Sequence, residues 1–203
     1  MEKLIILLQN VLKRQLKINM IKKTLFFILF ILFFNQLEAK ENIMILKLKD
    51  GDVEIELYKD IAPKHVERIK KLIKEKKYDG VVFHRVIDGF MAQTGDVQFG
   101  NSNNENYDIR RAGTGGSEYP DIKAEFSSAP HERGTLSMAR SSDPNSANSQ
   151  FFICFKSAPH LDRQYTVFGK VIKGMEFVDL IKKGDGSNGE VSDPDKIISL
   201  TLK

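Results

Sequence analysis

The sequence predicts a mainly β protein, a closed eight-stranded antiparallel barrel capped by two α-helices. Three observations carry this. Eight short strand-like runs are divided by polar, Gly-rich loops; period-two alternation flanks a turn dipeptide at the start; and only two stretches have helical spacing.

The first two strands lie either side of Asp50-Gly51. Met44, Leu46 and Leu48 alternate with Ile45, Lys47 and Lys49, and Val53, Ile55 and Leu57 alternate with Glu54 and Glu56, the pattern of a hairpin. Pro63 then opens a helix, where its missing N–H is no loss. Val66, Ile69, Leu72 and Ile73 recur at helical spacing, and the Lys-rich end (Lys70, Lys71, Lys74, Lys76, Lys77) suits a C-terminus and a solvated face. Further strands are expected over Val81–Val86, Phe90–Thr94, Gly134–Ala139, Gln150–Phe155, Tyr165–Ile172 and Ile197–Leu202. The second helix is expected over about Met175–Lys183, ended by Gly184. Asn101–Asn106 is a loop by composition.

The 203 residues suit one domain with a leader. Apolar residues make up 41% and charged residues 29%, which excludes a disordered chain. The net charge of +4 sits in the leader. Residues 1–39 hold six basic residues (Lys3, Lys13, Arg14, Lys17, Lys22, Lys23) against Glu2 and Glu38, which leaves 25 basic and 25 acidic residues for the remainder. A neutral body gives no electrostatic footprint for nucleic acid. The lone Cys154, inside the run Phe151–Phe155, allows no internal disulfide and reads as a core residue.

Leu25–Phe34 is an unbroken apolar run preceded by Lys22 and Lys23 and followed by a polar stretch ending in Ala39. That is the order of a secretory signal, too short for a permanent span of about 20 apolar residues. Residues 20–39 are expected to be a signal cleaved after Ala39, residues 1–19 an upstream extension, and residues 40–203 the exported, periplasmic domain. An uncleaved anchor is the alternative.

The usual catalytic devices are absent: no phosphate loop, no metal-ligand spacing, no nucleophile elbow. The histidines, His65, His84, His131 and His160, are scattered. Two segments stand out instead. One runs from Phe83 through His84, Arg85 and Phe90 to Asp96. The other runs Ser149-Gln150-Phe151-Phe152-Ile153-Cys154, followed by Leu161-Asp162 and Val167–Val171. Each places polar residues inside an apolar strand. Gln150 and Phe152 share one sheet face, as do Met91 and Gln93; Phe151 and Ile153 take the other. Phe90 joins Met91 and Gln93 only if Gly89 bends the strand.

These segments, with Gly113-Thr114-Gly115-Gly116 and Ser137-Met138-Ala139, resemble the signature stretches of the cyclophilin family from about Ile43 to the C-terminus. The resemblance implies peptidyl-prolyl cis/trans isomerase activity on proline-containing polypeptides, with no cofactor. X–Pro bonds interconvert slowly because twisting the amide forfeits resonance, a barrier of about 20 kcal/mol. A catalyst needs an apolar slot, backbone anchors and a group that favours the twisted state. By resemblance Arg85 is that group, since a permanent cation can hydrogen-bond the pyramidalised nitrogen. Phe90, Met91, Phe152 and Leu161 match the proline slot, and Gln93 and Gln150 match its backbone anchors. Gly113, Ala139 and Arg140 match positions bordering the peptide through their backbones, and His84 matches a structural position. His160, Tyr165 and Arg140 stand where better-known eukaryotic members often carry Trp, His and Asn, so weak cyclosporin binding is expected. A non-catalytic proline-binding chaperone module, possible also in membrane-tethered form, is the competing function. A monomer is the expected state.

Overall fold

The computed structural model describes residues 1, 8, 12–28, 30, 42–186 and 188–203. The chain divides into two units, Met1–Glu41 and Asn42–Lys203. In the first, residues 12–28 are helical. No helix among the described residues is long and apolar enough to cross a membrane. Residues 31–41, which include the end of the apolar run and the expected cleavage position after Ala39, lie outside the described residues.

The second unit opens with the expected hairpin. In β1 (Ile43–Lys47) and β2 (Asp52–Leu57), Met44 stands opposite Ile55 and Leu46 opposite Val53. All four are buried, while the intervening positions are more open. Helix α1 (Pro63–Lys74) buries Val66, Ile69, Leu72 and Ile73 as the spacing predicts. Ala62 before it offers no side-chain cap. Instead, the Glu125 carboxylate accepts the N–H groups of Lys64 (3.1 Å) and His65 (3.2 Å), two of the donors that a helix start leaves unpaired.

The remaining strands are β3 (Arg85–Ile87), β4 (Met91–Thr94), β5 (Thr135–Met138), β6 (Phe151–Cys154), β7 (Val167–Lys173) and β8 (Ser199–Leu202). They join the hairpin in one antiparallel sheet of order β3-β4-β6-β5-β7-β2-β1-β8. The expected closed barrel is corrected by this order. β3 and β8 stand at opposite ends and form no ladder with each other, so the sheet is a curled, open half-barrel. β3 has only three residues and β8 four. The chain beside them is tied by isolated bridges, Val82 with Lys196 and Arg85 with Glu190, in place of a continuous ladder.

Helix α2 (Met175–Asp179) is shorter than the expected stretch to Lys183. Beyond it the backbone serves other partners: Lys182 N–H donates to Asp195 Oδ2 at 2.9 Å and Gly184 N–H to Val86 O at 2.9 Å. Residues so engaged cannot continue the i to i−4 pattern.

Strand β6 divides the packing. Phe151 and Ile153 face the main core, where Phe151 meets Tyr78 and Phe168 edge-on at 5.7 and 5.9 Å. Phe152 and Cys154 face the other way, into a smaller cluster with Met91, Ala158 and Leu161. Met91, Phe152 and Leu161 of that second cluster also wall the site.

Candidate active site

Side-chain direction along a strand has period two, so Met91 and Gln93 of β4, Phe152 of β6 and Gln150 just before β6 lie away from the main core. Gly89 adopts φ +69°, a left-handed turn, and Phe90 N–H closes on Ile87 O at 3.0 Å. This bend adds Phe90 to the group. Phe90, Met91, Phe152, Leu161 and Tyr165 wall a cavity of about 220 Å³, with Arg85, Gln93, Ala139 and Arg140 completing its lining. Tyr165 meets Phe152 edge-on at 6.0 Å. Gly113 and Gln150 border an adjoining cavity of about 490 Å³, which shares Gln93, Ala139 and Arg140 with the first. His160 lies outside both linings, its ring tilted against Phe90 with centroids 5.6 Å apart.

A polar relay runs along the rim. Arg85 stands opposite Gln93 in the β3–β4 pair, with Nη1 donating to Gln93 Oε1 at 3.4 Å. Gln93 Nε2 donates to Gln150 Oε1 at 3.0 Å, and Gln150 Nε2 donates to Gly113 O (2.9 Å) and Gly115 O (2.7 Å). The two glutamines therefore hold each other and the 113–115 loop. The Arg140 guanidinium lies 4.3 Å over the Tyr165 ring and donates to Gln164 O at 3.1 Å, so its side chain packs against the wall.

Several supports escaped sequence reasoning. Asn188 O accepts from Arg85 Nε at 2.8 Å, and its Oδ1 accepts from Nη2 at 3.3 Å. This grips one edge of the guanidinium and leaves Nη1 toward Gln93. The dipeptide Asn188-Gly189 signals a turn, but nothing local links it to Arg85. Asp96 is buried and accepts N–H bonds from Gln98, Phe99, Gly113 and Gly115 at 2.8–3.0 Å. It thereby shapes the loop that borders the second cavity. Gly113 has φ +99°, and a Cβ there would stand 2.7 Å from the His84 ring, so this position accepts only glycine without strain.

The site offers a fixed cation beside an apolar slot and no activated nucleophile. Burial pushes the Cys154 thiol up to about 12, far from a thiolate. Burial pushes the His84 imidazole down to about 4, so this neighbour of Arg85 is neutral near pH 7.

Comparison with known proteins gives the family and the fold. Residues 43–202 match the family model described as cyclophilin type peptidyl-prolyl cis-trans isomerase/CLD. A relative from Brucella suis named "Probable peptidyl-prolyl cis-trans isomerase" is 63% identical over 164 residues, covering 80% of this chain and 83% of that one. A peptidyl-prolyl cis-trans isomerase of Helicobacter pylori is 40% identical over 151 residues, covering 72% and 85%. Among solved structures, a cyclophilin from Hirschia baltica superposes with a TM-score of 0.68 at 26% identity, covering 80% of this chain and 74% of that one. A cyclophilin type isomerase from Cryptosporidium parvum, crystallised in the presence of the dipeptide Ala-Pro, gives 0.67 at 28% identity, covering 79% and 98%. On its match from β1 to β8, the chain belongs to the cyclophilin-type peptidyl-prolyl cis-trans isomerase family, whose reaction is rotation about X–Pro peptide bonds.

Proposed function

We propose that Arg85 is the catalytic residue and that the proline ring enters the slot of Phe90, Met91, Phe152 and Leu161, with Tyr165 and His160 at its margin. Gln93, Gln150, Gly113, Ala139 and Arg140 flank the peptide backbone on either side. The reading is supported by one observation above all: a guanidinium gripped on one edge by Asn188 lines the same 220 Å³ cavity as the apolar ring walls.

As the X–Pro amide twists, its nitrogen pyramidalises and regains a lone pair. Arg85 is a permanent donor and can bond that nitrogen only as resonance fails. The interaction is therefore stronger in the transition state than in either ground state, which lowers the barrier and not merely KM. No covalent bond is made or broken. The test is isomerisation of an X–Pro peptide by the full chain beside Arg85→Ala. A fall of about 100-fold or more in kcat/KM is expected, in the range found when a single electrostatic donor is removed. Equal turnover by both proteins overturns the assignment.

The protein acts on exported polypeptides in the periplasm as a monomer. The apolar run after Lys22 and Lys23 supports export. N-terminal sequencing of the protein from its native cell checks this: a start near Lys40 is expected, and an intact leader means a tethered form.

A further inference from the structure

Behind the slot, three side chains line up as acid, imidazole and hydroxyl. Asp162 Oδ1 stands 2.9 Å from His131 Nδ1, and His131 Nε2 stands 3.0 Å from Ser137 Oγ. The order is that of a hydrolytic relay. Ser137, however, is fully buried and His131 is 1% exposed, so the hydroxyl meets no substrate.

Its neighbours show what it holds. Asp162 Oδ1 also accepts the His131 backbone N–H at 2.8 Å, and His131 O accepts Ala158 N–H at 2.7 Å. The segment at 131 is thus clasped to the turn of Pro159–Leu161, whose Leu161 walls the slot. Ser137 is the register partner of Phe152 in the β5–β6 pair. The His131 ring lies nearly parallel to the Phe152 ring, with centroids 6.2 Å apart and planes at 18°.

We infer that Asp162 and His131 are positioning residues for the isomerase slot: the Asp162–His131–Ser137 chain sets the Leu161 turn and the Phe152 ring at the spacing that a proline ring fits. This rests on reading the cavity as the proline slot. The proton placement follows from the partners. A carboxylate only accepts, so Nδ1 carries the imidazole proton and Nε2 presents its lone pair to Ser137. Ser137 Oγ also stands 3.0 Å from Thr166 O, and its one proton serves one acceptor at a time. Burial lowers the proton affinity of His131 against the pull of Asp162, which favours the neutral ring.

The test combines steady-state kinetics of the full chain on an X–Pro peptide with nitrogen NMR of the imidazole. Asp162→Ala should raise KM about tenfold and leave kcat within about twofold, because the carboxylate shapes the slot and does not touch the rotating bond. Asp162→Asn should restore KM to within about twofold of wild type, since its Oδ1 still accepts both N–H groups. The spectrum should show the Nδ1–H tautomer in wild type and Asp162→Asn, and a loss of that preference in Asp162→Ala. His131→Phe keeps a ring beneath Phe152 but no nitrogens, and should match Asp162→Ala in KM; it decides the matter if Asp162→Ala fails to fold. Unchanged KM in Asp162→Ala or His131→Phe, or Asp162→Asn no better than Asp162→Ala, overturns the inference while wild type still turns over. A wild type without turnover overturns the catalytic reading and this one with it.

Discussion

Arg85 and Gln93 face each other across the first two strands of the sheet order, with Nη1 of the one 3.4 Å from Oε1 of the other. Gln93 in turn leans on Gln150, and Gln150 on the carbonyls of Gly113 and Gly115. The orientation of the guanidinium is thus tied to the loop bordering the second cavity. A hydrogen bond to a charged group contributes about 1.5–3 kcal/mol. Gln93→Leu is expected to lower kcat/KM on an X–Pro peptide by about tenfold, a tenfold change being about 1.4 kcal/mol. Arg85→Lys should lose nearly as much as Arg85→Ala, because one ammonium cannot keep both Asn188 contacts and reach Gln93.

Asp96→Ala should be severe. The substitution strands four backbone donors that converge on one buried carboxylate. Each buried unpaired group costs about 1–3 kcal/mol, less where the loop relaxes to let water in. A loss of about 3 kcal/mol or more is expected, roughly 10 °C in Tm for a domain of this size. Calorimetric melting of the two proteins checks this, and the variant should also lose isomerase activity as the 113–115 loop loosens.

Stability should fall with acid in a definite window. The His84 imidazole is lowered by burial from 6.5 to about 4, so between those values the unfolded chain binds the proton and the folded chain refuses it. Stability is therefore intact above pH 6.5 and declines as pH drops toward 4, by up to about 3 kcal/mol from this group. His65 and His131 are lowered by burial too and act in the same direction. His84→Phe should recover about 2 kcal/mol of the decline between about pH 7.5 and about pH 5, read from urea unfolding at each pH.

Helix α1 depends on a carboxylate from a distant loop. Glu125→Ala removes the acceptor for Lys64 and His65 N–H and for His65 Nδ1, which stands 2.7 Å from Oε2. Loss of a cap at a helix start costs about 0.5–2 kcal/mol. The urea midpoint should fall accordingly with an unchanged slope, and Glu125→Gln should retain part of the stability through its remaining carbonyl oxygen.

The parts of this site that are legible in the sequence share a cause. Alternation along Met91–Gln93 and Gln150–Ile153 is enough to place Met91 with Gln93, and Gln150 with Phe152, because side-chain direction in a strand is a local property. The bend that admits Phe90 is legible for the same reason, since Gly89 alone among its neighbours takes a left-handed φ without strain. The histidines mislead. Scattered in sequence, His65 and His131 each meet a carboxylate, 60 and 31 residues away.

Taken alone, the amino-acid order determined the hairpin at Asp50-Gly51, the start at Pro63 and the buried face of helix α1, the facing of Met91 with Gln93 and of Gln150 with Phe152 and, through its signature segments, the family. Tertiary structure decided what local pattern has no means to express. It set the sheet open where a closed barrel was expected, stopped the second helix at Asp179 and supplied the Glu125 cap where Ala62 offers none. It also brought Asn188 to Arg85 across 103 residues. Hydrogen-bond partners far apart in the chain are chosen by its path through space, and that path is set by the whole core at once.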